Sequence, residues 1–222
     1  EKQFAADPKN HRLAAELASR YASVREYEKA IEYYDLAYGL EPTNYGHREK
    51  ASELRINRFD REISAAQEAG DKARQTELEA GKLDFQVEEF GKRVEEHPTD
   101  LGIRYRLARA LHEHGDVDKA IGEYQQTVKD PRRKVESLTM LGNCFIEKGL
   151  YDLAENQLRK ALEETPGMTG RTKEILYSLG LLKEKQGLVK EALDEYMKVY
   201  EVDINFMDVA EKMTTLKQDA GS

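Results

Sequence analysis

The chain has no tryptophan, only five prolines and a single cysteine in 222 residues. One cysteine excludes an internal disulfide framework. That residue, Cys144, lies in an apolar-periodic stretch and reads as a small buried core residue rather than a reactive thiol. Scarce proline leaves long segments free to be helical. No apolar run approaches the roughly 18–20 residues needed to span a bilayer, so membrane insertion by this segment is not expected. No signal peptide or N-x-S/T site is visible. The patterns G-x4-G-K-[ST], G-x-G-x-x-G and G-x-S-x-G are missing. The five histidines are scattered, and His112 and His114, two apart, point to different sides of a helix. With no second cysteine, a metal site is not expected. Adjacent glutamates at 88–89, 95–96 and 163–164 read as solvated helix faces rather than acid–base pairs. No catalytic residue, metal ligand or cofactor is expected.

What is abundant is charge and helix former. Charged residues make up 35% of the chain and the net charge is −8. This is not the signature of disorder, because the apolar residues are strongly periodic. An acidic chain disfavours general nucleic-acid binding. Ala, Leu, Glu, Lys and Gln dominate, as in helical proteins.

The stretch 135–166 makes the periodicity concrete. Leu138, Leu141, Gly142 and Phe145 precede the turn Lys148–Asp152, and Ala154, Leu158, Ala161 and Leu162 follow it. Both halves have the three-and-four spacing of a helix that buries one face. Gly149 suits the left-handed end of the first helix, Asp152 is expected to cap the second, and Pro166 to stop it. The unit recurs: Gly115 to Gly149, Ala120 to Ala154 and Pro8 to Pro42 are each separated by 34 residues.

That period, with Leu138, Leu141-Gly142, Phe145, Ala154, Leu158 and Pro166 in one register, resembles the tetratricopeptide repeat (TPR) family. The resemblance implies an all-α, TPR-type α-solenoid, a right-handed superhelix of helix–turn–helix repeats closed by a C-terminal capping helix. The whole chain, 1–222, is expected to be a single array. Residues 1–10 read as the end of a truncated preceding repeat, which predicts a segment excised from a longer protein. Repeats follow at 11–44, 99–134, 135–168 and 169–206, with a capping helix and tail at 207–222 that frays over Asp219–Ser222. Several positions depart from the pattern: Arg25 stands at a turn that usually carries Gly, Arg104 replaces the Trp, Thr127 an Ala, Lys183 a Tyr and Ile204 a Pro.

Between the first two full repeats the period breaks. Pro42 to Pro98 is 56 residues, about 22 more than one repeat. Ile56, Phe59, Ile63 and Ala66 keep helical steps, as do Ala80, Leu83, Val87, Phe90 and Val94. Only Ala69-Gly70-Asp71 signals a turn. The spacing predicts an elongated antiparallel hairpin at 45–98, with helices over about 46–69 and 72–96.

The resemblance also implies a non-catalytic protein-interaction scaffold whose first helices line a concave groove. Expected groove residues are Tyr105, Arg109, His112, Thr139, Asn143, Ile146, Tyr177 and Leu181, with Arg12, Ala15, Ser19 and Glu184 at equivalent places. Some TPR proteins hold chaperone C-termini with a Lys-x3-Asn, Asn, Lys-x3-Arg set. Only Asn143 matches it here, and that role is rejected. From Asp100 to Lys134 eight Lys/Arg face six Asp/Glu, a local +2. The expected partner is therefore an acidic or carboxylate-ended peptide, or an acidic amphipathic helix. The alternatives are an accessory domain of a larger enzyme and a self-assembling module. A soluble, cytoplasmic segment is the expectation for localisation.

Overall fold

The computed structural model describes residues 2–220. Among them there are twelve α-helices and no strand. The chain divides into two compact units, one up to Glu89 and one from Phe90.

The first unit contains α1 (Lys2–Ala6), α2 (His11–Ser23), α3 (Tyr27–Leu40), α4 (Tyr45–Glu68) and most of α5 (Lys72–Glu96). Asn10 starts α2: its side-chain oxygen accepts from the backbone N–H groups of Arg12 and Leu13 at 3.1 and 3.2 Å. The core interleaves Ala18 of α2, Ala30, Ile31 and Tyr34 of α3, and Ala51 and Leu54 of α4. Small residues there let the helix axes approach. The α2–α3 turn puts Arg25 at φ 64°, the left-handed conformation normally left to Gly.

Helices α4 and α5, of 24 and 25 residues, are each about 36 Å long. Gly70, at φ 71°, turns the chain between them, and Asp71 accepts from the N–H of Arg74 at 3.0 Å to cap α5. Their seam uses Phe59 against Phe85 (6.3 Å between centroids), Lys82 with Asp60 at 2.5 Å, and Arg48 with Glu89 at 3.0 Å. The apolar stripe read from the sequence is corrected on α5. Ala80 is exposed, whereas Leu78, outside the stripe, is buried. The reason is register: Leu78, Lys82, Phe85 and Glu89, at steps of four, three and four, hold the side of α5 that meets α4.

The second unit holds α6 (Leu101–His114), α7 (Val117–Thr127), α8 (Lys134–Glu147), α9 (Tyr151–Glu163), α10 (Gly170–Lys185), α11 (Val189–Tyr200) and α12 (Val209–Ala220). Each helix packs on its sequence neighbour, and α8 also packs on α10. Asp100 caps α6 through the N–H groups of Gly102 and Ile103 at 2.8 and 3.0 Å. Gly149, at φ 71°, ends the α8 hairpin arm. The expected Asp152 cap does not form: Leu150 is the N-cap of α9, without a side-chain bond, and Asp152 lies in the helix's first turn. A capping box starts α10, with Thr169 and Thr172 bonding each other's backbone N–H.

Three of the departures from the repeat pattern, Arg104, Thr127 and Lys183, have bonding partners. Arg104 donates to the carbonyl of Pro98 at 2.8 Å and to Glu123 at 2.6 Å. Thr127, fully buried, donates to the Tyr124 carbonyl and meets the Ser137 hydroxyl at 2.8 Å. Lys183, also buried, bonds Glu155 at 2.9 Å and Glu191 at 3.1 Å. In the last element Val209, Met213 and Leu216 are buried along one stripe of α12. Phe206 precedes that helix, with its ring against Tyr177 (6.3 Å) and under the Lys173 ammonium (4.9 Å). Helix α12 continues through Ala220, and the rest of the stretch expected to fray lies outside the described residues.

Candidate interaction trough

On the second unit, the exposed faces of α6, α8 and α10 meet in a trough of about 580 Å³. Helical spacing explains its floor. Thr139, Asn143 and Ile146 step by four and three along α8, and Glu174, Tyr177, Leu181 and Lys185 step by three, four and four along α10. His112 closes one flank from α6, and Met207, in the linker before α12, stands at another edge.

The walls are close-packed behind this surface. Gly142 lies on the reverse of α8, where a Cβ would come within 2.5 Å of Leu158 Cγ. Gly180 on α10 faces the Tyr196 ring in the same way. Only glycine lets each second helix approach that closely.

Polar groups at the trough are largely engaged. His112 Nε2 lies 2.7 Å from Glu147 Oε1 and so ties α6 to α8. Thr139 is buried, and its hydroxyl donates to the Val135 carbonyl at 2.9 Å. The Tyr177 hydroxyl donates to Asp208, and burial followed by that bond pushes its pKa up. It therefore stays a neutral phenol. Asn143 is half-buried, and its amide has no hydrogen bond to another described residue. Met207 holds φ 46° and is 63% exposed, an apolar side chain displayed on a left-handed backbone.

Six of the eight expected groove residues line this trough: His112, Thr139, Asn143, Ile146, Tyr177 and Leu181. The other two stand elsewhere. Tyr105 is buried, edge-on to Tyr124 with the Arg133 guanidinium 4.7 Å from its ring centre, so its face is already covered. Burial, then the charge of Glu136, pushes its hydroxyl pKa up. Arg109 is exposed outside the lining and donates to Glu113 at 3.1 Å, one turn along α6. Glu184 is taken up by Lys212 at 3.0 Å and by the Tyr196 hydroxyl. Arg12, Ala15 and Ser19 belong to α2 in the other unit. Sequence reasoning missed Met140, Glu147, Glu174, Ser178, Lys185 and Met207. The first five lie one turn or one position from chosen residues and were findable by widening the stripe. Met207 was not, because a linker has no period.

The trough holds no constellation for covalent chemistry. Cys144 is fully buried behind it, and burial pushes its thiol up to about 12. A thiolate does not form there at neutral pH. Among the described residues, no group of three or more His, Cys, Asp or Glu could hold a metal ion. No described helix is long and apolar enough to cross a membrane.

Comparison with known proteins agrees with this architecture. Tetratricopeptide repeat models match residues 12–44, 105–169 and 139–205. The chain is 30% identical over 115 residues to the photosystem I assembly protein Ycf3 of Prochlorococcus marinus, covering 50% of this chain and 62% of that one. It is 34% identical over 92 residues to tetratricopeptide repeat protein 21B of Xenopus laevis, covering 41% of this chain and 7% of that protein. The chain thus spans less than two thirds of either relative. Among solved structures, a tetratricopeptide repeat protein from Parabacteroides merdae superposes with a TM-score of 0.68 at 18% identity, over 95% of this chain and 73% of that one. YrrB, described as a TPR protein with an unusual peptide-binding site, superposes at 0.65 and 18% identity, over 95% of both chains. The helical repeats of this chain are TPR units, and the chain belongs to the tetratricopeptide repeat family.

Proposed function

We propose that this chain is a non-catalytic protein-interaction scaffold that takes a partner segment in the trough of α6, α8 and α10. The observation that carries the reading is the trough itself: about 580 Å³ with Met140, Ile146, Tyr177, Leu181 and Met207 on its surface. Apolar and aromatic side chains on a preformed concave surface suit the anchors of a partner helix or strand. Met140 and Met207 supply adaptable contacts, and the Asn143 amide can pair with backbone groups. The name of the Ycf3 relative, an assembly protein, supports a role in bringing proteins together.

The lining favours an amphipathic helix over a carboxylate-ended peptide, and basic flanks over the acidic helix expected from the sequence. Its charged members are Glu147, Glu174 and Lys185, and Arg109, the expected groove residue able to grip a carboxylate, stands outside it paired with Glu113. A partner helix with apolar anchors at i, i+3 or i+4, and i+7 and basic flanks fits this balance.

The test is a panel of fluorescent amphipathic helical peptides with basic, neutral or acidic flanks, read by anisotropy. Capture of the basic-flanked members is expected, weakened at least tenfold by Leu181→Asp or Tyr177→Ala, with circular dichroism unchanged. Arg109→Ala should then matter little. If acidic peptides bind instead, and Arg109→Ala costs them about 1.5–3 kcal/mol, as for a charge-assisted bond, the carboxylate reading replaces this one. Capture indifferent to every trough variant but lost on removing the α4–α5 tip would move the site to the hairpin.

A further inference from the structure

Away from the trough, in the first unit, two histidines 36 positions apart meet. His11 Nδ1 lies 3.1 Å from His47 Nε2, and the ring centroids are 5.4 Å apart, so the imidazoles meet tip to tip. A hydrogen bond of this kind needs one nitrogen to donate and the other to accept. It exists only while at least one imidazole is neutral. With both protonated, both nitrogens carry hydrogen and charge, and the bond becomes a repulsion.

The surroundings sharpen this. His11 is the first residue of α2 and His47 the third of α4. Both sit at the positive end of a helix dipole, where an added cation is disfavoured. Few groups offset it. From α2, Arg12 beside His11 is exposed, and the Asn10 cap donates to Asp7 at 3.1 Å. From the end of α3, Glu41 is the one carboxylate acting on His47. On α4 itself, Lys50 pairs with Glu53, while Arg48 turns away to Glu89 of α5. Behind the pair, α2 and α4 share the core of Ala18, Ala51 and Leu54.

We propose that the His11–His47 contact is a proton-sensitive joint, closed when either imidazole is neutral and opened when both are protonated, so that acid loosens α2 from α4. Burial holds His47 below the ordinary histidine value of 6.5, the charge of His11 acts the same way, and Glu41 opposes both. The sign follows. The unfolded chain takes up this proton before the folded one, so the joint's contribution is complete above about pH 6.5 and is lost as pH falls below it. A mildly acidic setting would then soften the first unit while leaving the trough of the second unit in place.

The experiment uses the full chain in a chelator, with amide hydrogen exchange followed at pH 7.5 and 5.5 and corrected for intrinsic rates. The expected result is a several-fold loss of protection in α2 and α4 at pH 5.5, with α8–α11 unchanged, and no such loss in a His11→Gln, His47→Gln double variant. Protection of α2 and α4 that does not depend on pH, or a double variant that loses it as the wild type does, overturns the proposal. Should the double variant not fold, proton NMR of the imidazoles decides. A His47 curve displaced below the ordinary value, and moved back toward it by His11→Gln, supports the joint; a His47 curve indifferent to His11→Gln refutes it.

Discussion

At the scale of single residues, positions that break the repeat pattern carry identifiable costs and compensations. Lys183 occupies the core place of an aromatic residue, and burial alone would lower its pKa. Bonds to Glu155 and Glu191 outweigh that and raise it, while the Lys183 bond holds the Glu155 carboxyl below its usual range. Glu195 is similarly satisfied, by Arg159 at 3.1 Å and Lys198 at 2.6 Å. Arg25 has no such compensation for its backbone. Its turn closes through the Arg25 N–H to the Ala22 carbonyl and the Glu26 N–H to that of Tyr21, and the side chain is exposed. A left-handed L-residue costs roughly 1–2 kcal/mol, partly offset by the greater freedom of Gly in the unfolded chain. Arg25→Gly should therefore stabilise by about 0.5–1 kcal/mol. Urea unfolding at neutral pH measures it, and an unchanged or lowered midpoint contradicts the strain argument.

At the scale of elements, the α4–α5 hairpin differs from the other pairs in length and in what holds it. Near its turn, Ala66 and Leu78 are buried, while Ala65, Gln67, Ala69 and Ala73 are exposed. The pairs Arg74–Glu62 at 3.6 Å and Lys82–Asp60 at 2.5 Å are at least partly solvated, and such pairs contribute only about 0–1 kcal/mol each. The tip is thus the least stabilised part of the hairpin. Deleting 64–77 and closing with a short Gly turn should leave the chain helical and cooperatively folded, because the seam at Phe59–Phe85 and Arg48–Glu89 remains. Circular dichroism with thermal melting checks this. Loss of cooperative unfolding would mean the tip is integral to the first unit.

At the scale of the whole molecule, contacts run mainly between neighbours in sequence, the arrangement in which stability is a sum of local terms. Damage should then stay local. Ala154 is fully buried where α8 and α9 cross, and Ala154→Arg places an unpaired charge there at a cost of several kcal/mol. Hydrogen exchange on that variant should show protection lost in α8–α11 and retained in α2 and α3. Protection lost uniformly would mean that the chain folds as one cooperative body.

The helices, their turns and the family were legible in the chain because each is set by local rules. The three-and-four spacing around Leu138–Leu162 and the left-handed Gly149 depend on neighbours in sequence, and the 34-residue period repeats them. Most of the trough was legible for the same reason, since His112, Thr139, Asn143, Ile146, Tyr177 and Leu181 hold one register on successive helices. Other features required the fold. Tyr105 keeps that register yet is covered by Arg133, 28 positions away, and Met207 reaches the trough from a linker without periodicity. Leu78 replaces Ala80 in the hairpin seam because the facing helix, not the spacing, selects the buried side. His11 and His47 look like two isolated surface residues until α2 and α4 bring their rings together. Periodicity along a chain fixes which face of a helix is apolar, but which side chains touch across space depends on how neighbouring helices are placed, and only packing decides that.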